Sequence, residues 1–189
     1  MKIQDFLDPE FFVIFVISFE VEIMIKFNKI REVKDPKRNV GEDAGFDFFV
    51  PEYNADFEKD FSLKNDKNFA HLSKDGIMIA PRKDVMIPSG IQSSFDNDIA
   101  LIAMNKSGIS SKQKLIIGAC VVDSSYQGEI HLHLFNMSDK TVNIPYGQKL
   151  VQFVPYKIDV SEYFVSTGET EFFTEKSKRG DEGFGSTGI

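Results

Sequence analysis

The chain reads as an all-β protein of the antiparallel sandwich or jelly-roll kind. Three observations carry that reading. No long stretch holds the 3.6-residue apolar period of a helix, short β-rich runs recur instead, and Gly, Pro, Asn and Asp break them at short intervals. With 189 residues, the simplest organisation is one domain long enough to bury a core.

The elements follow in chain order. From Ile17 to Phe27 the apolar residues Ile17, Phe19, Val21, Ile23, Ile25 and Phe27 share one side, while Ser18, Glu20, Glu22, Met24 and Lys26 take the other. Alternation of this kind is the mark of a half-buried strand, or of two consecutive ones. Further strands are expected at 45–50, 77–79, 85–87, 99–104, 115–122, 129–135, 141–144 and 149–156. The stretch 51–75 is rich in Asn, Asp and Lys and reads as a surface insertion, with a short helix near 56–63. Residues 161–178 read as a connector with a weak strand at 171–174, leading to a glycine-rich arm at 179–189. The organisation is thus an extension at 1–23, a β domain at 24–160, and the connector and arm at 161–189.

Composition narrows the function. A net charge of −7 argues against duplex nucleic acid as a partner, because neutralising phosphates needs clustered Lys and Arg. A small anion remains open, since the field of one site need not follow the whole chain. The apolar run 11–19 falls short of the roughly 20 residues of a membrane span. It follows Asp5, Asp8 and Glu10 and lacks a basic flank, so neither a membrane nor a secretory signal is expected. The single Cys120 reads as a small core residue and fits a reducing compartment. The expected location is the cytoplasm, or the host cytoplasm for a viral source.

Four segments carry chemistry. Residues 179–189 hold four glycines, Arg179, Phe184, Ser186 and Thr187. Glycine lets backbone N–H groups turn toward an anion, the hydroxyls and guanidinium add donors, and Phe184 could stack on a base. The plainer alternative is a glycine-rich tail. The segment 117–135 reads as strand, tight turn, strand, with Asp123 and Tyr126 at the turn. A carboxylate there can accept a proton from an attacking water, and the tyrosine ring can pack on a sugar. Alternatively, Asp123 only hydrogen-bonds the turn. Lys106-Ser107-Gly108, after an apolar strand, suits a phosphate contact or a solvated turn. Gln152 lies in an apolar run and needs a partner, which a satisfied core amide would also explain. His131 and His133, two apart on one strand face, lack nearby Cys or His co-ligands and read as plain histidines before they read as zinc ligands.

Taken in order, Asp43-Ala-Gly-Phe-Asp47, Lys106-Ser-Gly108, Gly118 to Gly128, Gly147 to Gln152 and Arg179 to Gly188 resemble the five motifs of the trimeric dUTP pyrophosphatases, the dUTPases. The resemblance runs from about Ile25 onward, and residues before Met24 have no counterpart in the family's usual start; one hypothesis makes Met24 the natural initiator, which an intact Met1 start in native protein would dismiss. It implies a jelly-roll homotrimer with exchanged carboxyl-terminal arms, acting on dUTP with Mg²⁺. Asp123 would activate the water that attacks the α-phosphorus, and Tyr126 would pack under the deoxyribose. Uracil would be read by backbone from Gly118 through Val122 to Tyr126. Ser107 and Gly108 of a neighbouring subunit, with Lys106 and Gln152, would contact phosphates. Arg179, Gly185, Ser186 and Thr187 would close on the β- and γ-phosphates, with Phe184 stacked on uracil. Asp47 would face the metal through water.

Three departures from the family pattern stand out: Lys106 in place of arginine, Glu182 in place of glycine, and Gln148-Lys149 in place of Asp-Arg. Other readings are a dCTP deaminase, or bifunctional deaminase–dUTPase, of the same fold. A third is a nucleotide-gated regulatory protein whose partner docks on 51–75.

Overall fold

The computed structural model describes residues 25–163, 165 and 167. The expected strand at 171–174, the arm with Arg179, Glu182, Phe184, Gly185, Ser186 and Thr187, and residues 1–24 lie outside the described residues.

The fold is all-β with one α-helix among the described residues. Twelve strands run in order: β1 (Lys26–Lys29), β2 (Phe46–Phe49), then helix α1 (Ala55–Lys64), β3 (Ala70–Ser73), β4 (Gly76–Ile79), β5 (Asp84–Pro88) and β6 (Ile91–Ser94). They continue as β7 (Ile99–Met104), a π-helical turn (Ile109–Gln113), β8 (Leu115–Ile117), β9 (Val121–Val122), β10 (His131–Asn136), β11 (Val142–Ile144) and β12 (Lys149–Lys157). All pairings are antiparallel and make four sheets: β1-β6, β5-β10-β8, β11-β4-β3 and β2-β12-β7-β9.

Alternation puts one face of each strand into a single core. On β10, Leu132 and Leu134 point inward, while His131, His133 and Phe135 take the other side. Phe48 and Phe153 meet across the β2–β12 pair with ring centroids 4.6 Å apart, and Phe27 packs edge-on against Phe46 and Phe48.

The polar stretch 51–75 is tied into this core. Its helix starts at Asn54, whose side chain accepts from the Phe57 amide at 2.8 Å, and Asp56 and Glu58 occupy its first turn. Phe57 and Phe61, one turn apart, are buried in the common core. Asn65 closes the other end, donating to the carbonyls of Phe61 and Met86 while accepting from the Met86 amide. The segment is therefore polar only on its outer side, and β3, hidden in the sequence within it, pairs with β4.

Two further departures have plain causes. The run 115–122 is two strands, not one. It leaves β10 after Ile117, crosses over Gly118-Ala119-Cys120, and joins β7 at Val121. Cys120, expected in the core, is exposed on that crossing.

Arg31 joins α1 to the β domain. Its side chain is 7 % exposed, and it donates from Nε and Nη2 to the two oxygens of Glu129 at 2.8 and 2.6 Å and from Nη2 to Asp60 at 2.7 Å. Glu129 also accepts from the Gly90 amide. Removing one member of such a buried pair strands the other charge. Arg31→Ala is expected to lose about 3 kcal/mol of stability in urea unfolding. Asp60→Asn, at the exposed end, should lose far less; equal losses would count against the Arg31–Glu129 pair as the principal tie.

No helix among the described residues is long and apolar enough to cross a membrane.

Candidate active site

Two cavities hold the residues singled out from the sequence. The first, about 210 Å³, is lined by Ala119, Cys120, Val121, Val122, Asp123, Tyr126, Ile130, His131 and Phe153. The hairpin that forms it is held by backbone and by Tyr126. The Tyr126 amide donates to the Asp123 carbonyl at 3.1 Å, closing the turn. The Tyr126 hydroxyl donates to the Glu129 carbonyl at 2.9 Å, laying the ring across the hairpin mouth. That ring position requires glycine at 128, where a Cβ would come within 2.5 Å of the Tyr126 hydroxyl.

The Asp123 side chain takes no part in holding the turn. Among the described residues its carboxylate has no hydrogen bond or ion pair, and it is exposed beside the Tyr126 ring. A carboxylate that the fold does not use is free to engage solvent or ligand.

The second cavity, about 600 Å³, is lined by Lys106, Ser107, Gly108, Ile109, Lys112, Gln113, Gln148, Lys149 and Gln152. Three ammonium groups on one concavity make an anion-binding field. Asp47 sits behind it, 8 % exposed, and accepts from Lys106 at 2.5 Å and from Lys149 at 2.7 Å. Burial alone would raise its carboxyl pKa, but the two lysine hydrogen bonds outweigh burial and hold it below the usual carboxylate range. Lys149, a departure in the fourth motif, therefore works alongside Lys106, the departure in the second. Across the cavity Gln113 and Gln148 form a reciprocal amide pair, the better bond being 2.9 Å from Gln148 Nε2 to Gln113 Oε1.

Gln152 and Phe153 relate the two cavities. They are neighbours on β12, so their side chains leave opposite faces, Gln152 toward the cationic cavity and Phe153 toward the hairpin cavity. Lys106, Ser107, Gly108 and Gln152 thus come together, and so do Val122, Asp123 and Tyr126, but the two groups lie on opposite sides of one sheet. Gly118 lies just outside the hairpin cavity, at the start of the crossing. Sequence reasoning gave no role to the lining residues Lys112 and Gln113, and it noted Lys149 only as a departure in the fourth motif.

His131 and His133 each have their own partners. Burial pushes the His131 imidazole below its ordinary pKa, and Nδ1 lies 2.8 Å from the Glu129 carbonyl. His133 bonds the Ala119 amide and Asp84. Among the described residues no three His, Cys, Asp or Glu side chains cluster as a metal cage.

The profile of the dUTPase family matches residues 70–188. A deoxyuridine 5′-triphosphate nucleotidohydrolase of Legionella pneumophila is 32% identical over 120 residues, spanning 59% of this chain and 72% of the relative. Among solved structures, the Staphylococcus bacteriophage 80alpha dUTPase with dUPNHPP superposes with a TM-score of 0.65 at 20% identity, covering 88% of this chain and 99% of that one. A mutant dUTPase from phage phi11 of S. aureus, whose structure details the coordination of a structural Mg(II) ion, gives a TM-score of 0.58 at 19% identity over 80% of this chain and 99% of its own.

Proposed function

The chain belongs to the dUTPase family and is a dUTP diphosphatase, and from that premise we propose how its residues divide the work of converting dUTP and water to dUMP and pyrophosphate. The observation that carries the proposal is the hairpin cavity, where an unengaged carboxylate lies beside a tyrosine ring pinned flat by its own hydroxyl.

In this scheme uracil lies against the backbone from Gly118 to Val122, and the deoxyribose rests on Tyr126. Asp123 orients a water and takes its proton as the oxygen attacks the α-phosphorus in line. The bond from that phosphorus to the bridging oxygen breaks, and pyrophosphate leaves. Lys106, Lys149, Ser107, Gly108 and Gln152 receive the phosphates. Because these groups lie on the sheet face opposite the hairpin cavity, one chain supplies half of each of two sites. That arrangement supports a homotrimer whose sites combine the hairpin of one subunit with the cationic cavity of the next. Arg179, Gly185, Ser186 and Thr187 of an exchanged arm then close on the β- and γ-phosphates, and Phe184 covers the base.

Mg²⁺ enters with the triphosphate as part of the substrate, neutralising its charge and fixing its conformation. The donor set fits this role better than a resident ion, since both oxygens of Asp47 are taken by lysines and no acidic cage exists among the described residues. With Lys106 and Lys149 drawn to the phosphates, Asp47 would be the carboxylate left to serve the ion through water. The reaction, in the cytoplasm, limits uracil in DNA and supplies dUMP.

The role of Tyr126 is open to a direct test. Tyr126→Ala is expected to narrow the preference for dUTP over UTP in kcat/KM by about 10- to 100-fold, the scale on which a pocket rejects one hydroxyl. An unchanged ratio would remove Tyr126 from sugar selection.

A further inference from the structure

We propose that His133, aimed by Asp84, is a positioning residue that fixes the backbone on which uracil is read. The inference rests on the dUTPase reading of the hairpin cavity and deepens it.

The segment Gly118-Ala119-Cys120 is the crossing between two sheets, past the last residue of β8 and short of the first of β9. It therefore has no ladder of its own, yet Ala119 and Cys120 line the nucleoside cavity. Three consecutive residues are pinned individually. The Gly118 amide donates to the His133 carbonyl at 2.9 Å, the Ala119 amide donates to His133 Nδ1 at 2.9 Å, and the Cys120 carbonyl accepts from the Ala103 amide at 2.6 Å. Two of the three pins belong to His133.

The imidazole is set for this task. Accepting from a peptide N–H requires Nδ1 to be unprotonated, which leaves the proton on Nε2 to be donated to Asp84 Oδ2 at 3.1 Å. Asp84 reaches it from β5, the strand paired with β10, and the Phe135 ring packs against the imidazole with centroids 4.9 Å apart. The fit leaves no room for a side chain at 118, where a Cβ would lie 2.3 Å from His133 Nδ1. The ring itself is only 18 % exposed, held between Asp84 and Phe135.

A base read by main-chain groups is selected only as well as that main chain is held, because no side chain can adjust to correct it. The expected signature of losing the Ala119 pin is thus weaker, less selective substrate binding with the chemical step intact.

The test compares His133→Leu, His133→Asn and Asp84→Asn with the wild-type protein. Asparagine keeps an acceptor oxygen where Nδ1 stands, and leucine removes it at similar size. In pyrophosphate-release kinetics His133→Leu should raise KM for dUTP about tenfold, the worth of one net hydrogen bond, with kcat within about twofold. Its preference for dUTP over dCTP should shrink by a similar factor. His133→Asn should recover most of both, and Asp84→Asn should fall between. Amide hydrogen exchange at Ala119 should quicken in His133→Leu and not in His133→Asn. The proposal is overturned if His133→Leu matches wild type in KM and in Ala119 exchange, or if His133→Asn behaves as His133→Leu. If wild-type protein fails to turn over dUTP, the functional reading falls instead, and Ala119 exchange still reports whether His133 holds the crossing.

Discussion

Asp123→Asn is expected to lower kcat for dUTP by about 10³-fold, within the range that a positioned general base contributes, and to leave KM within a few-fold. The structure makes this substitution unusually clean. The Asp123 carboxylate bonds nothing else among the described residues, and the turn is closed by the Tyr126 amide on the Asp123 carbonyl, which Asn keeps. The thermal midpoint should therefore stay unchanged. Loss of activity together with loss of stability would mean that Asp123 holds the hairpin, and unchanged kcat would take it out of the chemistry.

The second large effect concerns the arm. Truncation after Lys178 removes Arg179, Ser186 and Thr187, the donors assigned to the β- and γ-phosphates, and Phe184 over the base. Donors aimed at charge that develops in the transition state are each worth about 10²-fold or more, so kcat/KM should fall by at least about 10³-fold. Binding of dUMP, which lacks those phosphates, should weaken far less. If dUMP affinity and dUTP turnover fell in equal measure, the arm would be acting on the nucleoside and not on the leaving group.

How much of this was readable beforehand depends on how local the signal is. Strands that are near-continuous apolar runs, such as β7 and β12, fall where the composition places them: β7 at Ile99–Met104 as expected, and β12 at Lys149–Lys157, one residue past the expected end. By contrast β3 (Ala-His-Leu-Ser) and β6 (Ile-Gln-Ser-Ser) carry too many polar residues to announce a strand; their pairing with β4 and β1 decides them. The run 115–122 looks continuous because its residues are apolar throughout, and the break shows only in the pairing, which passes from β10 at Ile117 to β7 at Val121. Cys120 followed the same error, since a residue on a sheet crossing is not a core residue.

The site shows the same division. Asp123, Tyr126 and Gly128 are spaced as a tight hairpin demands, so the hairpin and the meeting of Asp123 with Tyr126 were legible from one segment. Partners separated along the chain were not. Nothing in the sequence joins Asp47 to Lys149, Arg31 to Glu129, or Asp84 to His133 and Ala119, because these partners are far apart along the chain and meet only once the strands have paired. The separation of the cationic and hairpin cavities by one sheet is likewise a property of β12, visible once Gln152 and Phe153 are seen to face apart.

The central claim is that this hairpin and cationic cavity cleave a uracil deoxynucleotide at its α-phosphorus. Pyrophosphate release by the wild-type protein, with dUTP, UTP, dCTP and dTTP side by side in Mg²⁺, tests it most directly. The account predicts that dUTP exceeds each of the others by about 10²-fold or more in kcat/KM, with no ammonia released from dCTP. Comparable release from all four nucleotides, or ammonia from dCTP in place of pyrophosphate from dUTP, would contradict it.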